Sequence, residues 1–319
     1  MIRRKLGRTG RDVNAIGLGC MGMSVFYGKP VADEEGVALL HAAVERGVDH
    51  FDTAEMYGNG ANERIVGKAF VGLRDKVFIA TKFGFKIDPT NGMVTGMDGS
   101  AANCRRAVEQ SLRLLQTDRI DLLYLHRQDP ALPIEETVGA MARLVEEGKV
   151  CELGLSEVDA DNLRRAHRVH PIAALQTEYS LFSRDVETEI LPACRALGVT
   201  FVSYSPLGRG LLTGAFTQAW NADPNDYRKV GQPRFQGAAF DANLALVREI
   251  ESLAAAHGAN AGQVAIAWVL AQGDDVHVIP GTTKLRNLEN NLAAADVRLT
   301  DADKARLDCM AVLVQGGRY

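Results

Sequence analysis

The sequence predicts an α/β fold: a (β/α)8, or TIM, barrel with an N-terminal β-hairpin and a long loop after strand 7. Three observations carry this prediction. Short apolar runs alternate with longer amphipathic ones almost from end to end. The short runs are apolar throughout rather than alternating, as strands of a parallel sheet buried on both faces must be. There are eight of them, each followed by a helical pattern, and eight such units close into a barrel. An open, doubly wound sheet is the alternative. No composition shift or linker divides the 319 residues, so the chain reads as one domain, 1–319.

The opening stretch 3–6, the turn Gly7-Arg8-Thr9-Gly10 and the stretch 13–16 read as a hairpin able to plug the bottom of a barrel. The first barrel strand covers 15–19. A helix over 33–46 follows, with Asp33 as its N-cap and Gly47 as its stop. The second strand, 50–52, is short, and the next helix begins near Asn62. Residues 77–81 are β-branched and aromatic and form the third strand. Ser100 caps a helix reaching Leu115. Strands at 120–125, 150–155, 173–176 and 200–204 are separated by helices at 134–147, 159–168 and 186–197. The stretch 208–237 is too long for an ordinary strand-to-helix connection and reads as a lid or binding loop. Helices at 242–257 and 262–271 lead to the eighth strand, 276–279. Helices at 285–295 and 300–310 close the pattern.

A net charge of −4 leaves no electrostatic footprint for nucleic acid or an anionic membrane, so any phosphate must be held by a local site. The five cysteines, Cys20, Cys104, Cys151, Cys194 and Cys309, are scattered, with no CxxC pair and no Cys/His cluster at zinc spacing. They read as reduced thiols of a cytoplasmic protein that holds no metal. His41, His50, His167, His170, His257 and His277 also lack metal-ligand spacing. The charged N-terminus lacks the apolar segment of a secretory signal. No apolar run approaches the roughly 20 residues that span a bilayer. The expected partner is a small molecule, and the oligomeric state is left open.

In a barrel of this kind the active site lies where strands end and the following loops begin. Strand 2 ends at Asp52, with Tyr57 five residues on. Strand 3 ends in Lys82, strand 4 in His126, strand 5 in Ser156-Glu157, strand 6 in Gln176 and strand 7 in Tyr204-Ser205. Strand 8 runs into Gly281-Thr282-Thr283-Lys284. Single polar residues at strand ends are ordinarily caps. Asp, Tyr, Lys and His gathered from three consecutive strand ends can build a proton-transfer site. Hydride delivery to a carbonyl leaves an alkoxide that needs a proton. Tyrosine, with an ordinary pKa of about 10, is a weak acid, and a nearby ammonium lowers that pKa. In this reading Lys82 supplies the ammonium and Asp52 keeps Lys82 charged and oriented. His126 hydrogen-bonds the substrate oxygen.

These residues carry a resemblance. The stretch FDTAEMYGNGANERIVGKAF, 51–70, is similar to the signature of the aldo-keto reductases around their catalytic Asp and Tyr. TKFGF carries the matching Lys82 and LLYLHRQDP the matching His126. GLSEVD, LQTEYSLF, YSPLGRGLLTG and IPGTTKLRNLENN follow in the order of that family's cofactor-binding regions. The chain resembles the family over nearly its whole length, in its longer-loop bacterial and plant branch.

The resemblance implies an NADP-dependent oxidoreductase that reduces aldehydes or ketones to alcohols with NADPH. Its implied tetrad is Asp52, Tyr57, Lys82 and His126, with Tyr57 as proton donor. Ser156 and Gln176 match positions that hold the nicotinamide carboxamide, and Tyr204 the aromatic that stacks on the ring. Ser205, Leu207, Arg209, Gly210 and Leu211 match a loop over the pyrophosphate. Gly281, Thr282, Thr283 and Lys284 match the segment that holds the adenosine 2′-phosphate, and Asn291 an adenine contact. Glu157 departs from the Asn of many members, and Asn290 from an acidic residue common there. The run Gly17-Leu18-Gly19-Cys20-Met21-Gly22 does not lead directly into a helix, so no open-sheet dinucleotide fingerprint is read in it.

For the substrate pocket, Met23, Phe26 and Tyr27 after strand 1 offer an apolar wall beside His126, as do Phe83 and Phe85 after Lys82. Trp220 reads equally as a pocket wall or a loop anchor. Arg127 reads either as a cation for a polar or acidic substrate or as a partner of Asp129 or Glu157. Two rival functions stand beside the reductase. One is a nicotinamide-binding sensor or regulatory subunit with slow turnover, similar to channel β subunits. The other is a lyase using Lys82 as a Schiff-base nucleophile.

Overall fold

The computed structural model of the chain describes residues 1–7, 11–88, 90, 92–217, 220 and 226–318. Strands β1 (Arg3–Leu6) and β2 (Arg11–Asn14) pair antiparallel. Leu6 and Val13 enter the lower end of the barrel beside Phe78 and Ala80, so the hairpin is the expected plug. Of its expected turn, residues 8–10 lie outside the described residues. The second arm ends at Asn14 rather than at 16, because Ile16 already bridges to Val278 of the barrel.

The barrel then builds in chain order. Its first elements are β3 (Leu18–Gly19), α1 (Asp33–Glu45), β4 (His50–Asp52), α2 (Ala61–Phe70) and β5 (Phe78–Phe83). A hairpin of β6 (Phe85–Ile87) and β7 (Val94–Met97) precedes α3 (Ala101–Leu115). Next come β8 (Ile120–Leu125), α4 (Ile134–Glu146), β9 (Val150–Ser156), α5 (Ala160–Val169), β10 (Ile172–Glu178), α6 (Ile190–Leu197) and β11 (Thr200–Tyr204). The long connection holds the short α7 (Tyr227–Gly231), then α8 (Gly237–Ala256) and α9 (Ala261–Leu270). Finally come β12 (Val276–Val278), α10 (Leu285–Ala293) and α11 (Asp301–Ala311).

The eight long-range strands β3, β4, β5, β8, β9, β10, β11 and β12 form one parallel sheet in sequence order. The ring closes where Gly17 N donates to Val278 O and Val278 N to Ala15 O, each at 2.8 Å. Strand periodicity divides the core in two. Phe78, Ala80, Leu122 and Tyr124 point into the barrel. Ile79, Phe83, Leu123 and Leu125 point outward beneath the helices. Among the described residues no helix is long and apolar enough to cross a membrane.

Several expected boundaries moved. Asp33 is the first residue of α1, not its cap. Ala32 holds the cap position, and Asp33 instead pairs with Lys68. The helix expected over 186–197 is a single tight turn, Asp185–Glu187, followed by α6. Pro192 has no N–H to donate, so it fits the first turn of a helix but not its interior. α8 starts at Gly237, five residues before the expected 242. The β6–β7 hairpin was not anticipated, because its arms are too short to show alternation. Ser100 caps α3 as expected, its Oγ accepting from Asn103 N at 3.2 Å.

α2 and α3 touch through Gly67. A β-carbon there would lie 2.2 Å from Leu114 O and 2.8 Å from Leu115 Cα, both backbone atoms that cannot step aside alone. Gly67→Ala is therefore expected to cost about 1–3 kcal/mol in overpacking, read as a lower urea midpoint. An unchanged midpoint would mean that the two helices part freely.

Candidate active site

β5 carries Lys82 on its inward face, continuing the Phe78–Ala80 row, and this decides the floor of the site. Lys82 Nζ donates to an Asp52 carboxylate oxygen, to Thr53 O at 2.8 Å and to Tyr57 Oη at 3.4 Å. The second oxygen of Asp52 accepts from Gln176 Nε2 at 2.7 Å. His126, just past β8, stands edge-on to Tyr57, with ring centroids 5.8 Å apart. Phe85 stands edge-on to the same imidazole at 5.0 Å. The structure thus brings Asp52, Tyr57, Lys82 and His126 together. Exposure rises from 1% at Lys82 to 8% at His126, so the ion pair is the floor and the tyrosine and histidine face the opening.

The electrostatics follow from burial. Burial pushes the Tyr57 phenol above its ordinary value, with Lys82 pulling it down and Asp52 pushing it up. The expected lowering by Lys82 is present but outweighed, because burial penalises the phenolate more than the lysine favours it and Asp52 opposes the lysine. Burial would depress Lys82, but Asp52 and Tyr57 outweigh it and the amine stays an ammonium. Burial raises Asp52 against the pull of Lys82. Both of its oxygens accept hydrogen bonds, from Lys82 and from Gln176, and these favour the carboxylate form. Burial, then Lys82 and Arg127, push His126 well below the usual histidine range, so the imidazole is neutral. Its Nδ1 is buried without a partner among the described residues.

The residues expected at a cofactor are arranged around this floor. Ser156 is buried at the end of β9 and accepts from Arg127 Nη1 at 3.2 Å. Gln176 is tied to Asp52, so it braces the ion pair, a role the sequence did not reveal. Tyr204 ends β11, and the chain then turns left-handed at Ser205 (φ 49°), Gly208 (φ 55°), Arg209 (φ 57°) and Gly210 (φ 96°). Leu211 is fully buried and Leu207 packs on the same core, so this segment presents backbone and the Arg209 side chain. Arg209 is held by Glu178 at 3.1 Å. Glu178 was missed, although it lies two residues beyond Gln176 on the same strand face, where a period of two would have found it.

Beyond β12, Gly281 bridges to Gly19, and Thr282 Oγ1 accepts from Lys284 N at 3.0 Å as the chain enters α10. Thr283, Lys284 and Arg286 are exposed, and the two cations make no ion pair among the described residues. Asn291 is 7% exposed, and its side-chain amide has no hydrogen-bond partner among the described residues.

The expected pocket walls divide. Phe83 points outward, since Lys82 points inward, and it packs in the core under the helices. Met23 is fully buried in that core, beside Gly36 of α1, and offers no surface to a ligand. Phe26 packs on Tyr227 at 5.8 Å and Tyr27 under Arg228 at 4.8 Å, so both latch the first loop to the long one. Trp220 is a loop anchor, its ring 5.0 Å from Phe216 and 5.5 Å from Phe235. Arg127 pairs with neither Asp129 nor Glu157. Glu157 is instead bound by Arg318 near the C-terminus, at 2.8 and 3.0 Å. Among the described residues no cluster of His, Cys, Asp and Glu can hold a metal.

Comparison with known proteins agrees with this geometry. The aldo/keto reductase family matches residues 15–311. A probable aldo-keto reductase of Glycine max is 45% identical over 318 residues, covering 99% of this chain and 91% of the relative. The structure of a glycerol dehydrogenase from Gluconobacter oxydans superposes with a TM-score of 0.89 at 31% identity, over 98% of this chain and 95% of that one. An aldo-keto reductase from Klebsiella pneumoniae in complex with NADPH gives 0.75 at 31% identity, over 98% and 96%.

Proposed function

The chain belongs to the aldo/keto reductase family, and we propose that it reduces small-molecule aldehydes and ketones with NADPH, using Tyr57 as proton donor. One observation carries the mechanism: a buried ammonium, Lys82, held by Asp52 and touching the Tyr57 hydroxyl beside a neutral His126. The residues present fit NADP(H). Lys284 and Arg286, at the start of α10 and without an ion pair among the described residues, would make a charge-assisted site for the 2′-phosphate. The Asn291 side-chain amide, unpartnered among the described residues, would take the adenine, and the segment 205–210, left-handed at Ser205, Gly208, Arg209 and Gly210, would hold the pyrophosphate through its backbone. The Klebsiella relative was solved with NADPH.

When bound, the cofactor supplies a hydride for the carbonyl carbon. The remaining work falls to the chain. Neutral His126 donates a hydrogen bond that orients the carbonyl oxygen. Tyr57 gives its proton to that oxygen as negative charge develops there. Lys82 stabilises the phenolate left behind, and Asp52, Thr53 and Gln176 keep Lys82 charged and in place. The reverse reaction, alcohol oxidation, uses the same groups, and the Gluconobacter relative is a glycerol dehydrogenase.

NADPH consumption across a panel of aliphatic and aromatic carbonyls tests this reading, and binding of NADPH without consumption on every member would overturn it. Lys284→Met is expected to raise KM for NADPH about 10–100-fold, the worth of a hydrogen-bonded charge pair. KM for NADH should move far less. Equal changes for both cofactors would remove Lys284 from the 2′-phosphate.

A further inference from the structure

The mechanism gives Arg127 no work. Its Nη1 donates to His126 O at 2.7 Å and to Ser156 Oγ at 3.2 Å, both neutral acceptors. Ser156 is the register partner of Gln176, and Gln176 reaches inward to Asp52. Residues paired across a parallel ladder share a face, so Ser156 also faces inward. A guanidinium bonded to it stands over the barrel mouth, between the ends of β8 and β9 and beside His126.

The carboxylates near it are engaged elsewhere. Asp129 accepts from Gly99 N and Ala131 N, and Glu157 is gripped by Arg318 and accepts from Glu178 N. Arg209, Arg228, Arg234 and Arg318, on the loops around the same end, are each paired with a carboxylate. Arg127 is half-buried and makes no ion pair among the described residues. Its charge reaches the site, pulling on both Tyr57 and His126. A half-buried charge without a counter-charge is costly, and an anion in the mouth relieves that cost.

We propose that Arg127 binds a carboxylate carried by the substrate, so that the preferred substrates are oxo acids: aldehydes or ketones that also bear a carboxylate group. This rests on the reductase reading above. No bond to Arg127 forms or breaks. The hydride still goes to the carbonyl carbon and the Tyr57 proton to its oxygen, and the carboxylate leaves unchanged. A planar fork of donors suits a carboxylate better than a point charge does.

The test compares 4-carboxybenzaldehyde with its methyl ester, methyl 4-formylbenzoate, at saturating NADPH. The readout is the acid-to-ester ratio of kcat/KM, in which any effect of the substitution on Tyr57 or His126 common to both substrates cancels. Arg127→Met is expected to lower this ratio at least about tenfold, mainly through KM of the acid. Arg127→Lys should retain part of the preference. A ratio changed less than twofold by Arg127→Met overturns the assignment. If neither aldehyde is reduced, the carbonyl panel decides the reductase reading, and equilibrium binding decides this one. Benzoate titrated into the NADP⁺-loaded protein by calorimetry should bind the wild type and bind Arg127→Met at least about tenfold more weakly. Absence of binding, or equal binding to both, overturns it.

Discussion

Tyr57→Phe is expected to lower kcat for carbonyl reduction by about 10²–10⁴-fold, the usual worth of a positioned general acid, with NADPH affinity nearly unchanged. The substitution removes one hydroxyl and leaves a ring of the same shape against His126 and Lys82. Stopped-flow hydride transfer and cofactor titration by fluorescence separate the two quantities. Undiminished reduction would remove Tyr57 from the chemistry. The pH profile adds an independent check. Burial holds the phenol above its ordinary value of 10.0, so the acid form needed for reduction persists across the neutral and moderately alkaline range. The reduction rate should therefore be flat there and fall only above that value. His126 is held neutral far below 6.5, so no inflection should appear near 6.5. Alcohol oxidation needs the phenolate and should rise with pH instead.

Asp52→Leu is expected to lower stability by about 3–5 kcal/mol. It leaves the Lys82 ammonium buried without its counter-charge and the Gln176 amide without its acceptor. The double variant Asp52→Leu/Lys82→Met should recover much of the loss, since an apolar pair of similar volume is often as stable as a buried ion pair. If the double variant were less stable than the single one by the full cost of a second core substitution, the ion-pair account would be wrong. The sign with pH is fixed. In the wild type the Lys82 pKa is raised, so its contribution is complete below the unfolded-state value and is lost as pH rises through the folded one. In Asp52→Leu burial dominates and the folded pKa falls, so that variant regains stability as pH rises. The gap between the two should narrow towards high pH, in chemical denaturation followed from neutral to alkaline conditions.

Much of the barrel was legible because each strand is a local apolar run, and a buried parallel strand needs no partner to be recognised. Ile120–Leu125 and Thr200–Tyr204 matched their expected bounds for this reason. The β6–β7 hairpin was not legible, since arms of three and four residues cannot show a period. Of the candidate site, Asp52, Tyr57, Lys82 and His126 were found because the fold places chemistry at strand ends. Phe83 does not line the mouth although it follows Lys82, and Met23 packs into the core although it follows the first strand. A single step along a strand reverses the face. Gln176 bracing Asp52 joins a strand end to a group far along the chain, and such a pair leaves no trace in either local pattern.

By itself the amino-acid sequence determined the order of eight strands, the hairpin plug and the four residues that the fold gathers at the candidate site, because periodicity, capping and strand-end position are properties of short segments. Only the tertiary structure decided the protonation of those residues and the partner of each charge. A pKa depends on how deeply a group is buried and on what stands within a few ångströms of it. Burial outweighs Lys82 at Tyr57, and Arg318, from the far end of the chain, takes Glu157 and leaves Arg127 facing the mouth without a carboxylate.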